Sequence, residues 1–183
     1  MDPKYKHFRR TIYSTVSGFM RFRRLVVNCV MATDIMDKDL KALRNGKWDK
    51  AFKETPVESC SKETVNRKAT IVIEHLIQAS DIAHTMQHWH VYTKWNERLF
   101  REMYKAYKNG RADKDPSEFW FKGEIGFFDF YIIPLAKKLK QCGVFGVSSD
   151  EYLNYAQKNR DEWEVRGQEL VGQYIERVKE EFK

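Results

Sequence analysis

The feature that most constrains this fold is the spacing of its apolar side chains, which recur every three or four residues in segment after segment. That period places side chains on one face of an α-helix, whereas a half-buried strand alternates every second residue. No segment sustains a two-residue alternation, and only nine glycines and four prolines interrupt the 183 residues. The sequence therefore predicts an all-α fold, a compact multi-helix domain.

The apolar rows also predict where the helices lie and which faces they bury. The helices are predicted over residues 17–33, 37–52, 61–81, 90–109, 125–141 and 150–180. Asn45-Gly46 is expected to interrupt or end the second helix, and Pro134 to kink the fifth. The expected inward side chains include Phe19, Phe22, Val26 and Val30 in the first helix, Ile73, Leu76 and Ile77 in the third, and Val91, Trp95, Leu99, Met103 and Ala106 in the fourth.

Charge and cysteine content narrow the class of protein. The net charge is +7, but basic and acidic residues are interleaved, with one dense basic cluster, RFRR at residues 21–24. No nucleic-acid-binding motif accompanies this charge, so no nucleic-acid partner is predicted. Three widely spaced cysteines, no apolar run long enough for a membrane span and no signal-peptide core together predict a cytoplasmic protein.

Asp81 is the first candidate for chemistry, because it stands where the row Ile73, Leu76, Ile77 asks for another apolar side chain. A carboxylate on an apolar face costs several kcal/mol unless it is paired or binds a metal. It could cap the next turn or pair with a buried arginine. It could also form a metal triad with His84 and His88, since spacings of three and four share one helix face.

Two further stretches hold candidate residues. In FKGEIGFFDFYIIPL, Glu124 suits a helix N-terminus, and Phe127 and Phe130 suit either core packing or a ligand clamp. In VMATDIMDKDL, Asp34 ends an apolar helix and needs a local partner. A glycine-rich phosphate loop, a GxSxG motif and a Cys–His signature are all missing from the sequence, which argues against nucleophilic enzyme classes.

Four of these stretches occur in the order typical of one family. They are ATD after an apolar helix, QASDIAH at the end of a long helix, VYTKWNERL, and GEIGFFDFYIIPL. Over residues 17–141 the chain resembles the C-terminal portion of the class I 3',5'-cyclic nucleotide phosphodiesterase catalytic domain, of algal or protist type. The resemblance implies that portion of the family's helical fold and hydrolysis of cyclic AMP or cyclic GMP to 5'-nucleotides in cyclic nucleotide signalling.

The resemblance assigns Asp81 as a metal ligand. In the complete domain two divalent ions, zinc and magnesium or manganese, share a water that attacks the cyclic phosphate. A dication would explain an inward-facing acid, because ligation offsets the cost of burial.

The same resemblance implies a substrate-binding set. Leu99 and Phe127 would grip the purine, and Glu124 stands where the family has its purine-selecting glutamine. The remaining members of the set are Ile35, His84, Tyr92, Trp95 and Asn96. An ionised glutamate only accepts hydrogen bonds, so the hypothesis is that Glu124 tilts preference toward cyclic GMP; a protonated Glu124 would erase that argument.

No catalytic residue is assigned in this chain, because the family's general-acid histidine, its metal-binding histidines and its His-Asp dipeptide would precede residue 17. The expectation is therefore a lead-in over residues 1–16 and a partial catalytic domain over 17–183. Alone it is expected to be inactive, to expose apolar surface, and to need the N-terminal part of the domain as partner, within a larger protein that could be membrane-associated. The alternative is a non-catalytic regulatory or scaffold module of the same fold.

Overall fold

A computed structural model describes residues 3–54, 61–143 and 145–181 of the chain. All regular secondary structure in these ranges is helical, which confirms the all-α prediction. The chain divides into two compact units, Met1–Asp81 and Ile82–Lys183. Most of the predicted connector between the second and third helices, including Cys60, lies outside the described residues.

The helices of each unit follow one another closely along the chain. Unit 1 contains α1 (Lys6–Ile12), α2 (Val16–Ala32), α3 (Lys38–Phe52) and α4 (Lys62–Asp81). Unit 2 contains α5 (Trp89–Lys108), α6 (Trp120–Phe127), α7 (Ile133–Gln141) and α8 (Ser149–Glu181). Short 3-10 turns occur at Pro3–Tyr5, Ala83–Met86, Pro116–Glu118 and Gly146–Ser148, and a π-helical turn at Phe128–Ile132.

The helix ends follow local side-chain chemistry. Asp37 Oδ1 accepts the backbone N–H groups of Asp39 and Leu40, and Ser61 Oγ accepts that of Thr64, so each satisfies donors that a helix start leaves free. Gly110 and Gly143 follow α5 and α7 with φ of 67° and 66°, the left-handed conformation that glycine tolerates.

Three expectations about helix boundaries are wrong. Glu124 does not stand at a helix N-terminus, because α6 begins at Trp120 and has no acidic residue in its first turn. Asn45-Gly46 does not interrupt α3, which continues to Phe52. A single helical glycine costs only about 1 kcal/mol, which the burial of Trp48 two residues later can offset. The segment expected as a loose lead-in contains α1.

Unit 1 packs α2 and α3 against α4 around a small core with many polar groups. The ring of Trp48 lies 4.3 Å from Phe52 and 4.6 Å from His75. Gln78 Nε2 donates to the Ala32 carbonyl oxygen at 2.9 Å. The inward face of α4 is therefore Ile71, His75 and Gln78.

The prediction of which side chains of α2 and α4 point inward is partly wrong. The faces that pack are set by a tryptophan and by hydrogen-bonding polar groups rather than by the aliphatic rows. Ile73 and Ile77 on α4, and Val26 and Val30 on α2, are exposed.

In unit 2 the buried face of α5 lies one residue beyond the predicted row. Trp95, Leu99 and Met103 are exposed, and the buried side chains are Tyr92, Asn96, Phe100 and Tyr104. Aromatic contacts decide this face: Phe100, for example, meets Trp120 edge-on at 5.3 Å and Tyr174 at 5.8 Å. The buried row offers three aromatic rings to these partners, whereas the predicted row offers only Trp95, so the helix buries the former.

The long helix α8 organises unit 2, because it contacts α5, α6, α7 and the turn Ala83–Met86. Its Trp163 is fully buried and donates its indole N–H to the Phe121 carbonyl oxygen at 3.1 Å. Where a kink at Pro134 is predicted, the chain forms a π-helical turn, in which the Ile133 N–H donates to the Phe128 oxygen five residues back. Among the described residues, every helix is too short or too polar to cross a membrane.

Candidate functional site

Tyr92 lies at the centre of the predicted site residues in unit 2. It sits one turn into α5, fully buried, and its hydroxyl donates to Glu124 Oε2 on α6 at 2.8 Å. Glu124 itself is half-buried. The structure thus brings together two predicted residues that are 32 positions apart in the sequence. One of the two carboxyl oxygens of Glu124 accepts the hydrogen bond from Tyr92.

A buried amide lies behind this pair. Trp120, the first residue of α6, donates its indole N–H to Asn96 Oδ1 at 3.1 Å. Asn96 Nδ2 lies 3.5 Å from the Tyr92 hydroxyl oxygen and donates to it. Tyr92 and Asn96 present almost no surface, so their place is behind Glu124 rather than on an open wall.

Aromatic rings and one turn of backbone enclose Tyr92. Phe128 and Trp163 meet its ring edge-on at 5.3 and 5.7 Å, and the His84 ring lies parallel to it at 6.4 Å. The turn that holds His84 is fastened to α8, because Asn159 Nδ2 donates to the carbonyl oxygens of Thr85 and Gln87 at 2.9 and 2.8 Å.

Burial shifts the ionisation of both groups. Burial raises the pKa of Glu124 to about 7, while the hydrogen bond from Tyr92 acts in the opposite direction. The pKa of Tyr92 is raised well above 10, by burial first and by the Glu124 charge second. With a pKa of about 7, both the ionised and the protonated form of Glu124 are populated at neutral pH, so the cyclic GMP preference stays a prediction that depends on pH.

Three further predicted residues keep exposed surface. Leu99 and Trp95 on α5 are 41% and 48% exposed, and Arg98 lies over the Trp95 ring at 4.8 Å. Phe127 at the end of α6 is half-buried and stacks on Tyr131 at 5.3 Å. The pairing of Leu99 and Phe127 as two walls of one slot stays a prediction.

Asp81 and Ile35 belong to unit 1. Ile35 is half-buried in the connection between α2 and α3, beside Asp34, whose Oδ1 accepts the backbone N–H groups of Met36 and Asp37 at 3.2 Å. Asp34 thus has the local partners that the sequence called for.

Asp81 is the last residue of α4 and is exposed, so the prediction that it points inward is wrong. Asp81 stands seven positions after the buried Glu74, on nearly the same helix face, but at the last residue of α4 its side chain reaches solvent. An exposed carboxylate has no burial cost for a metal to offset. Its role as a metal ligand remains a prediction from the family resemblance alone.

The metal triad of Asp81, His84 and His88 is also wrong. The α-helix ends at Asp81, His84 lies in a 3-10 turn, and His88 precedes α5 with Nε2 3.0 Å from the Tyr155 hydroxyl. Side chains at spacings of three and four share a face only along one continuous helix. Within 3–54, 61–143 and 145–181, no three His, Cys, Asp or Glu side chains are grouped to hold a metal ion.

Sequence reasoning missed two residues that support this site. Trp120 orients the amide of Asn96, and Asn159 ties the His84 turn to α8. A signal existed for Asn159, because it lies at core spacing between Ala156 and Trp163, and a buried amide must find partners. Nothing in the sequence alone pairs Trp120 with Asn96.

Comparison with known proteins gives a consistent result. A family model described as 3'5'-cyclic nucleotide phosphodiesterase matches residues 6–145. Two solved structures share the fold with a TM-score of 0.59: the phosphodiesterase domain of the RhoPDE fusion protein from the choanoflagellate Salpingoeca rosetta, 21% identical over 89% of this chain, and that of rhodopsin phosphodiesterase from the same organism, 22% identical over 90%. The chain spans 50% of the length of each. No curated protein matches it in sequence.

Proposed function

Because the chain belongs to the 3'5'-cyclic nucleotide phosphodiesterase family, we propose that its unit 2 holds the purine-binding part of a domain that hydrolyses 3',5'-cyclic nucleotides. The observation that carries this proposal is the hydrogen bond from Tyr92 to Glu124 at 2.8 Å. Glu124 stands at the position that the resemblance assigns to purine selection. A buried donor that fixes one of its oxygens supports a role in recognition.

The hydrogen bonding of Glu124 sets which purine it favours. With Oε2 engaged by Tyr92, the other oxygen is the atom left for a ligand. When the carboxyl is ionised, this oxygen can only accept, which suits the N1–H and N2–H₂ donors of guanine. When protonated, it can also donate, and adenine becomes acceptable. We therefore propose a preference for cyclic GMP that grows as the pH rises through about 7, where the Glu124 carboxyl titrates.

The remaining predicted residues would form the walls around the base. Phe127 would stack on the purine and Leu99 would cover its other face; both retain surface for such contacts. Stacking on an aromatic ring contributes about 1–3 kcal/mol for a nucleobase. His84 and Trp95 of unit 2 would border the slot, whereas the role of Ile35 stays a prediction from the family resemblance alone.

The residues described here do not make a metal site by themselves. The family's zinc and magnesium or manganese ions supply the activated water when bound, but Asp81 is a single carboxylate without two further grouped ligands among the described residues. One carboxylate cannot hold a dication tightly. We propose that the other ligands and the general acid come from a segment outside these 183 residues, and that this chain alone does not hydrolyse cyclic nucleotides.

A larger protein is consistent with the comparisons. The chain spans half the length of the matched domains, and both of those belong to a rhodopsin phosphodiesterase. We propose that this chain also works as part of a longer signalling protein beside a membrane-bound domain. Detection of the endogenous protein by an antibody to α8 would test this, because a 21.9 kDa band in a soluble fraction contradicts it.

Nucleotide binding tests the proposal directly. The 183-residue chain is titrated with cyclic GMP and, separately, cyclic AMP at pH 8, and bound nucleotide is followed through amide and ring NMR signals. We expect shifts at Glu124 and Phe127, and their loss in Phe127→Ala. Phe130→Ala is the matched control, because Phe130 is a neighbouring phenylalanine that is 76% exposed. Equal loss in both variants, or binding to neither nucleotide, contradicts the proposal.

A parallel assay separates the enzyme from the alternative module. The chain is incubated with each cyclic nucleotide and with zinc, magnesium or manganese, and 5'-nucleotide is measured. Binding without hydrolysis is the expected result for the chain alone, and it is also what a regulatory module of the same fold would show. Hydrolysis restored by a supplied N-terminal segment would favour the enzyme, whereas binding that no such segment converts to turnover would favour the module.

A further inference from the structure

Three hydrogen bonds connect Trp120, Asn96, Tyr92 and Glu124 in series. In each of them only one of the two groups can be the donor. An indole N–H can donate but cannot accept. The atom of Asn96 that lies 3.1 Å from Trp120 Nε1 must therefore be its oxygen, which also settles the amide orientation. With the oxygen turned toward Trp120, the NH₂ group of Asn96 faces Tyr92.

This orientation decides where the proton of Tyr92 points. The NH₂ group of Asn96 lies 3.5 Å from the Tyr92 hydroxyl oxygen and can only donate to it. The hydroxyl proton must then go to another acceptor, and Glu124 Oε2 lies 2.8 Å away. Asn96 and Tyr92 are fully buried, so bulk water offers them no alternative partner.

We propose that Trp120 is a positioning residue for purine selection: it orients Asn96, Asn96 directs the Tyr92 hydroxyl, and Tyr92 holds Glu124 Oε2, so that only Oε1 is offered to a base. This inference rests on the proposed function for its biological meaning. The hydrogen-bond direction itself is a property of unit 2 that can be measured without any nucleotide.

Replacing the Trp120 indole is expected to reverse the direction of these hydrogen bonds. In Trp120→Phe the ring bulk remains but the N–H is lost, so Asn96 Oδ1 has no donor. Its amide can then turn and accept the Tyr92 proton, which withdraws that proton from Glu124. Ionised Glu124 loses the hydrogen bond that lowers its pKa, so the pKa rises above its wild-type value of about 7.

Other titratable groups near Glu124 have to be accounted for. Tyr92 faces it from α5, the Tyr174 hydroxyl of α8 interacts with its charge, and His84 lies against the Tyr92 ring. Beyond Tyr174, Arg177 donates to Glu97 at 2.7 Å, so those two charges offset each other. None of these groups contacts Trp120 through the bonds described above, so the substitution acts on Glu124 through Asn96 and Tyr92.

The experiment is a carbon-13 NMR titration of the Glu124 carboxyl in the full 183-residue chain. Wild type is compared with Trp120→Phe, Tyr92→Phe and Trp163→Phe. Tyr92→Phe removes the donor outright and raises the pKa by about 1, since a hydrogen bond to a charged group is lost. Trp120→Phe is expected to raise it by a large part of that amount. Trp163→Phe is the matched control: it also loses an indole donor at 3.1 Å, but to a backbone oxygen outside the chain of bonds.

Two results would overturn the proposal. One is a Glu124 titration in Trp120→Phe that matches wild type while the amide spectrum shows a folded unit 2. The other is an equal rise in Trp163→Phe, which indicates a general loosening of the core. The double variant Trp120→Phe/Tyr92→Phe should titrate as Tyr92→Phe alone, because Trp120 acts through Tyr92. Failure of nucleotide binding counts against the proposed function and leaves this titration to decide the direction of the bonds.

Discussion

The two units differ in what their cores are made of. Unit 2 is centred on seven buried aromatic side chains: Tyr92, Phe100, Tyr104, Trp120, Phe128, Trp163 and Tyr174. Unit 1 buries one tryptophan, one isoleucine and two alanines of α3 and α4 together with Arg44, Glu74, His75 and Gln78. Large aliphatic side chains of α2 and α4 in unit 1 remain exposed.

The composition of each core indicates which interactions stabilise that unit. Unit 2 is stabilised mainly by the burial of apolar surface on large aromatic rings, so removal of one ring should destabilise it strongly. Unit 1 relies more on hydrogen bonds from buried polar groups, such as Arg44 to the Met31 and Asp34 carbonyl oxygens. Every buried side-chain nitrogen or oxygen in the described ranges has a partner, so this polar core is fully satisfied. Hydrogen bonds contribute only about 0.5–1.5 kcal/mol each.

The largest predicted effect follows from removing the ring at the centre of unit 2. Trp163→Ala should lower the free energy of unfolding of unit 2 by about 3–5 kcal/mol, because a fully buried ring leaves a cavity. Urea unfolding followed by residue-resolved NMR measures it. If the two units are stabilised by separate cores, the NMR signals of unit 1 keep their urea unfolding midpoint. Unfolding of both units at one shared, lowered midpoint would contradict this difference between the units.

The ionisation of Glu124 gives the second effect, which depends on pH. Its pKa is about 7 in the folded chain and 4.5 as the ordinary value. Because the folded pKa is raised, the associated stability is fully present below pH 4.5 and is lost as the pH rises through 7. Glu124→Gln removes this dependence. The stability difference in favour of the glutamine variant should therefore grow by up to about 3 kcal/mol between pH 4.5 and 8.

Thermal and urea unfolding of both proteins across that pH range measure this difference. Glu97→Gln serves as a control, since Glu97 is paired with Arg177 near the surface. A constant difference between wild type and Glu124→Gln would contradict the raised pKa. Such a result would also restore the hypothesis of a fully ionised carboxylate.

The third effect tests how tightly α8 is packed. A Cβ at Gly167 would lie 2.7 Å from the Trp163 indole, which is fully buried and cannot move away. Gly167→Ala should therefore cost about 1–3 kcal/mol. Gly172→Ala, on the same helix with open space around it, should instead stabilise by up to about 1 kcal/mol. Equal effects of the two substitutions on the unfolding midpoint would show that the contact is not rigid.

Helix positions could be predicted from the sequence, because apolar period, capping residues and terminal glycines are local signals. The starts at Asp37 and Ser61 and the ends before Gly110 and Gly143 follow from neighbours within four residues. The buried faces could not be predicted as well. On α5 the apolar row and the aromatic row differ by one position, and only the partner helix decides between them.

The candidate site likewise contains features that the sequence predicts and features that only the structure gives. The resemblance named Tyr92 and Glu124 as candidates, but it did not predict their hydrogen bond or that burial brings the Glu124 pKa to about 7. Both facts depend on elements 32 residues apart. The inward orientation of Asp81 was argued from the row Ile73, Leu76 and Ile77, but Ile73 and Ile77 lie on an outer face of α4 that keeps exposed surface.

The smallest predicted effect concerns that outer face and completes the comparison. Ile73→Ser should lower the free energy of unfolding of unit 1 by only about 1 kcal/mol, because its side chain is 36% exposed and less apolar surface is lost from burial. Ile71→Ser, two positions earlier on the same helix, should cost several times more, because Ile71 is buried. Urea unfolding at two protein concentrations measures both. A large cost for Ile73→Ser would mean that the outer face is covered in solution. If that cost rises with protein concentration, a second copy covers the outer face, and the description of unit 1 as a unit with exposed aliphatic side chains has to be given up.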